Sequence, residues 1–191
     1  MTRRLPRPPQ KLEHRLTPLS RMIQGKELHY QLLNNRVAYL PIQELMERMR
    51  LGIAEKRSRL FRDGAQRGEV GPVAGFRMDY LVRVRHLSTI DELREGSSMT
   101  IELSKWQLNP EPDLDSEGID EVLKPGSDFL RYLRGADAET TITLWVYPDS
   151  FGMYRKLQEF AHRENFTVAA RPLPMGIPIA GSPQGSRSAG Q

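Results

Sequence analysis

The sequence predicts an α+β protein: a single two-layer domain with a mixed sheet, a C-terminal βαβ unit, an N-terminal hairpin plus helix, and disordered ends. Three observations predict it. Residues 140–171 read as strand, helix, strand, and a crossover of that length returns its second strand parallel to the first. Phe76 to His86 alternates apolar and polar residues, the period of a half-buried strand. Ile42, Leu45, Met46, Met49 and Ile53 recur at helical spacing, one apolar stripe on a helix.

Taken in order, residues 1–25 form a basic arm with Pro6, Pro8, Pro9 and Pro18. Proline lacks a backbone donor and fixes φ, so neither a helix nor a ladder is expected there. Residues 26–180 are the domain, and 181–191 a disordered Gly/Ser tail. Leu28–Leu33 and Arg36–Leu40 flank Asn34 and Asn35, residues that tolerate positive φ and suit a tight hairpin. Pro41 then opens a helix expected to reach about Phe61. Arg62 to Gly75, with Gly64, Gly68, Gly71, Pro72 and Gly75, predicts a mobile loop. After it, Phe76, Met78, Tyr80, Val82 and Val84 face inward from a strand whose other face carries Arg77, Asp79, Arg83 and Arg85. Met99 to Leu108 alternates as well and can return antiparallel; Ile90 to Arg94 can form a helical turn between the two.

The proline-containing acidic stretch from Asn109 to Glu117 is expected to be a loop. Ile119, Val122 and Leu123 make an apolar turn that Pro125 and Gly126 interrupt. Ser127 has the chemistry of an N-cap for the helix through Leu133, and Gly135 that of its stop. In the βαβ unit, Ile142, Leu144 and Val146 alternate with Thr141, Thr143 and Trp145. Asp149 or Ser150 is expected to cap the helix from Phe151 to about Glu164, and Asn165 to end it left-handed.

Composition narrows the function classes. The chain has 191 residues and no cysteine, which excludes disulfides and thiolate metal sites. No apolar run approaches the roughly 18 to 20 residues that span a bilayer, and no secretory h-region is present. The default expectation is therefore a cytoplasmic protein without a membrane span. The net charge is +4, but Arg3, Arg4, Arg7, Lys11, Arg15 and Arg21 stand against Glu13 alone at the N-terminus. That surplus of five leaves about −1 elsewhere, so any polyanion contact is expected from Arg3, Arg4, Arg7, Lys11 and Arg15 rather than from a basic domain face.

Motifs for chemistry are few. Asp113, Asp115, Glu117 and Gly118 match the opening of a calcium loop, but Lys124 stands where the bidentate acid belongs. His14, His29, His86 and His162 have no metal-ligand spacing. Tyr147–Phe151 places Asp149 and Ser150 at a strand's carboxyl end, where open α/β sheets bind ligands, yet capping is the simpler role for Asp149. Trp106 and Trp145 fit either packing or stacking. The candidate ligand or interaction residues are Asp149, Ser150, Tyr154 and Trp145; no catalytic, metal or cofactor set is expected.

Five runs carry a resemblance. Trp145–Phe151 (W-V-Y-P-D-S-F), Arg171–Pro174 (R-P-L-P) and Pro178–Ser186 (P-I-A-G-S-P-Q-G-S), together with Asn34–Leu45 and Val70–Phe76, resemble a planctomycete-type bacterial family of uncharacterised proteins. That resemblance implies no activity. Asp149 after a strand and Tyr154 on the next helix are also similar to ExbD/TolR-type accessory domains of energy-coupled envelope transport. The function expected is a non-catalytic protein–protein interaction or assembly module, with a protein partner or self-association. The alternatives are nucleic-acid or acidic-surface binding by the basic arm, and an enzyme with a cleft near Asp149.

Overall fold

The structure, a computed structural model, describes residues 26–90, 93, 96, 98–137 and 139–182. The basic arm, the tail after Ser182 and most of the expected turn at Ile90 to Arg94 lie outside the described residues. The α+β class holds, and the mixed sheet is joined by a second, antiparallel one.

The first sheet is built around the βαβ unit. Strand β1 (Glu27–Leu33) turns through Asn34 and Asn35 into β2 (Arg36–Leu40). Both asparagines have positive φ, 55° and 53°, the left-handed pair that matches the twist of a two-residue hairpin. Strand β7 (Thr141–Val146) lies parallel to β1 and to β8 (Thr167–Pro172). With the two-residue β6 (Glu117–Gly118), the order is β6-β2-β1-β7-β8.

Helices cover one face of this sheet. They are α3 (Asp128–Arg134) and α4 (Phe151–Arg163), the latter following a 3-10 turn at Pro148–Ser150. Leu32, Leu144 and Val146 from the strands meet Phe129, Met153 and Leu157 from the helices, all buried. Each such side chain contributes about 1.5 to 3 kcal/mol by leaving water. Ser127 caps α3 as expected: its hydroxyl accepts from Leu130 N–H at 3.1 Å and donates to the Val122 carbonyl at 2.7 Å. Asn165 takes the left-handed conformation after α4, φ 64°.

The other face meets the second sheet and α1 (Ile42–Glu55). The helix expected to reach Phe61 is two: α1 ends at Glu55, Lys56 leaves helical geometry, and α2 (Arg57–Asp63) follows. The glycine-rich stretch expected to be a mobile loop is strand β3 (Ala65–Val73). It pairs with β4 (Phe76–His86) through a two-residue turn in which Ala74 and Gly75 both have positive φ. Strand β5 (Met99–Pro110) continues the sheet, and β9 (Ala180–Gly181) closes the order β3-β4-β5-β9. That pairing carries ordered backbone into the first residue assigned to the tail. Phe76, Met78 and Leu108 face Trp145, Leu45 and Ile179 between the sheets, while Met49 and Leu60 pack on Tyr80 and Val82.

Candidate functional site

An aromatic groove of about 1020 Å³ lies between the two sheets, beside the segment joining β8 to β9. Its floor is one row across the second sheet. Gly68 pairs with Tyr80, Tyr80 with Trp106, and Trp106 with Gly181. The two terminal positions have to be glycine. A Cβ on Gly68 would collide with the Tyr80 hydroxyl and ring, and one on Gly181 would sit 2.7 Å from the Trp106 indole. Each aromatic side chain therefore lies flat over a neighbouring strand, which a side chain there would forbid.

The first sheet supplies the opposite wall. Gln31, Trp145 and Arg171 are register partners in one row. The Arg171 guanidinium sits 4.9 Å from the Trp145 ring centroid, in cation–π range. Trp145 Nε1 is buried and finds no acceptor, so stacking and packing rather than a hydrogen bond hold the indole. Leu173, Ile177 and Pro178 form the lip.

Three bonds fix that lip. Leu173 N–H donates to the Val146 carbonyl at 2.9 Å, the Tyr147 hydroxyl donates to the Ile177 carbonyl at 2.6 Å, and Leu108 N–H donates to the Ile179 carbonyl at 2.8 Å. Burial is the main reason the Tyr147 phenol is pushed up, with a hydrogen bond to Gln31 opposing it. Met175 and Ile177 are nevertheless 54% and 50% exposed, large apolar groups left facing water.

The charged residues beside the floor point away from the groove. Side chains alternate along a strand, so Arg67, Glu69, Asp79 and Lys105 belong to the face opposite Tyr80 and Trp106. Pairing agrees with that placement: Arg77 bonds Glu69 at 3.0 Å, and Asn109 donates to Asp79 at 2.8 Å, across the outer face.

Beside the Trp145 row, on the same face, lies a half-buried polar row. Thr143 donates to Glu27 Oε2 at 3.0 Å, and His29 Nε2 approaches the same oxygen at 3.4 Å. The His29 imidazole is lowered to about 4. Burial is the largest cause; Glu27 raises it, and Arg171 lowers it further. Burial outweighs the carboxylate, so the His29–Glu27 contact is not an ion pair at neutral pH.

Asp149 and Ser150 come together, but not as a helix cap. Asn34 N–H donates to Asp149 Oδ2 at 3.0 Å, Asn35 N–H to Ser150 Oγ at 3.0 Å, and Ser150 Oγ to Asp149 Oδ1 at 2.8 Å. Neither side chain caps α4. They instead satisfy backbone donors of the β1–β2 turn, 115 residues away in sequence. Tyr154 packs against the helix-side core, and burial pushes its phenol up. Trp145 belongs to the groove, on the other face of the sheet. Arg3, Arg4, Arg7, Lys11 and Arg15 lie outside the described residues.

The acidic loop has a local role. Both Glu117 oxygens accept from the first turn of α3, from Asp128 N–H and, at 3.1 Å, from Phe129 N–H. Among the described residues no group of three His, Asp or Glu side chains is placed to hold a metal, and no helix is long and apolar enough to cross a membrane.

The sequence reading missed Gly68, Tyr80, Arg171 and Gly181 as site residues. The one available signal was the pairing of isolated glycines with aromatics on separate strands, and it becomes legible only once the register is known. No family model, no curated protein and no solved structure matches the chain.

Proposed function

We propose that this chain is a non-catalytic protein–protein interaction module and that the inter-sheet groove is its recognition surface. The observation that carries the reading is the groove itself: aromatic on both walls, bounded by a lip that is hydrogen-bonded in place yet exposes Met175 and Ile177. A groove fixed before binding loses little entropy when it is filled. Exposed apolar groups at the margin of a concave site mark a surface that another molecule covers.

The alternative cleft near Asp149 has less behind it, because both oxygens of that carboxylate already accept hydrogen bonds. The test is to pan a displayed random heptapeptide library against the full chain and against Ile177→Asp. The Ile177 side chain is exposed, and its lip contact uses the backbone carbonyl, so the substitution keeps the fold. Peptides retained by the unaltered chain and lost on Ile177→Asp support the reading. Peptides held equally by both, or no enrichment, refute it.

A further inference from the structure

We propose that a recess at the outer edge of β2 binds a primary alkylammonium group, the end of a lysine side chain or of an aliphatic diamine. The site is separate from the aromatic groove and does not depend on its role. It gives a use to the acidic loop whose calcium-like spacing leads to no metal site.

The recess holds about 370 Å³, within the range of small-ligand pockets. Strand β6 pairs only with Arg36 and Val37, and the recess lies beside Val37, Ala38 and Tyr39. Tyr30 and Tyr39 are direct cross-strand partners, so both rings stand on the helix-covered face. Tyr39 stacks on Tyr132 of α3 with ring centroids 3.8 Å apart, and Tyr30 packs on Phe129 at 4.9 Å. Asp113, Asp115, Glu117 and Asp128 complete the lining with their carboxylates.

Two independent observations identify the ligand's chemistry. The first is the Tyr30 hydroxyl. Tyr30 is 1% exposed, and its hydroxyl oxygen has no hydrogen-bond partner among the described residues. A buried hydroxyl left unpaired costs free energy, which a ligand within reach recovers. Burial is the main reason its phenol is pushed up; Tyr39, Tyr132 and Glu117 add to the rise. All three line the same recess, which places the oxygen among them.

The second observation is charge. Four carboxylates stand against one cation, Arg131, among the lining residues. Arg131 already bonds Asp128 at 2.9 Å and lies 5.3 Å from the Tyr132 ring centroid. Arg36, next to the recess, is held by the hydroxyl and carbonyl of Ser116. Glu117 is engaged by the start of α3. Asp113 and Asp115 remain, exposed carboxylates with no partner among the described residues. Their loop is pinned in place. Glu111 N–H donates to the Gly75 carbonyl at 2.8 Å, and Leu114 packs so tightly on Gly75 that a Cβ there would sit 2.7 Å away. A loop ordered before binding loses little entropy when it binds.

A donor-only cation answers both observations. An ammonium carries three rotatable donors, enough for the hydroxyl and two separated carboxylates. Its aliphatic stem suits the tyrosine rings. A calcium ion needs a denser shell of oxygen ligands than the described residues bring together.

The test is a nitrogen-15 correlation spectrum of the full chain titrated with cadaverine and, separately, with N-acetyl-lysine methylamide. Saturable shifts are expected at the amides from Asp113 to Phe129, and none with the diol of the same length as cadaverine. Tyr30→Phe deletes only the unpartnered oxygen, so it keeps the fold and weakens binding about fivefold. Asp113→Asn combined with Asp115→Asn alters exposed side chains and weakens binding about tenfold. Equal binding of the lysine amide and the diamine supports a protein lysine as the source; binding of the diamine alone supports a free diamine. No saturable shift with either amine overturns the proposal, as does equal affinity for the diol or displacement of the amine by calcium chloride. Unchanged affinity in Tyr30→Phe overturns the role of its hydroxyl. Should that variant lose its cooperative melt, the double aspartate variant decides: unchanged affinity there overturns the site.

Discussion

His29 makes the stability of this fold depend on pH in a window where few other groups titrate. Its ordinary value is 6.5, and in the folded chain it is lowered to about 4, mainly by burial. Its side chain is 12% exposed. Between these two values the unfolded chain binds a proton that the folded chain refuses. Stability is therefore at its full level above about pH 6.5 and falls as the pH drops toward 4, where this contribution levels off. A difference of about 2.5 pKa units at about 1.36 kcal/mol each gives a loss of about 3 kcal/mol. Against a typical stability of about 5 to 15 kcal/mol that is a large share. With a urea slope of about 2 kcal/mol/M, the midpoint should move by about 1.5 M. The assay is urea unfolding of the full chain at half-unit steps from pH 7.5 to 4.5, compared with His29→Gln. The variant removes the titrating group, so the difference between the two curves isolates it from the carboxylates. Equal slopes in both proteins would show that His29 protonates in place without penalty and would refute the reasoning.

Two further predictions concern packing and hydrogen bonds. Gly68→Val and Gly181→Val force Tyr80 and Trp106 off their strands, so each should cost about 1 to 3 kcal/mol, and the Gly181 change should alter tryptophan fluorescence as well. Unchanged melts would mean that the rings do not lie where the register puts them. Asp149→Ala leaves Asn34 N–H without its acceptor and should cost about 1 kcal/mol, with faster amide exchange at the turn while α4 keeps its protection. Fraying of α4 instead would restore the capping role expected from sequence.

Much of the first sheet was legible because its signals are local. Asn34 and Asn35 mark the hairpin, Ser127 the start of α3, and Asn165 the end of α4, each by what one or two residues can do. The period-two pattern from Phe76 to His86 likewise reads directly as a strand with one wet face. Strand β3 was hidden because Gly68, Gly71 and Pro72 argue locally against a strand. The pairing with β4 and the aromatic cover of Gly68 by Tyr80 overrule them. Asp149 was misassigned as a cap for the same reason: its N–H partner is 115 residues distant, and a nearby helix start is the only partner a sequence can show. The groove was the least legible part. Tyr80, Trp106, Trp145 and Arg171 come from four strands of two sheets, and no spacing along the chain records their meeting.

The chain contains two tryptophans, and both line the groove, which makes their indole N–H signals direct reporters of it. The decisive measurement is a nitrogen-15 correlation spectrum of the full chain titrated with a peptide selected by panning. The account predicts that the Trp106 and Trp145 indole signals shift together and saturate at one concentration, and that Ile177→Asp removes both shifts. Saturable binding that moves neither indole, with changes confined to other parts of the chain, would contradict it.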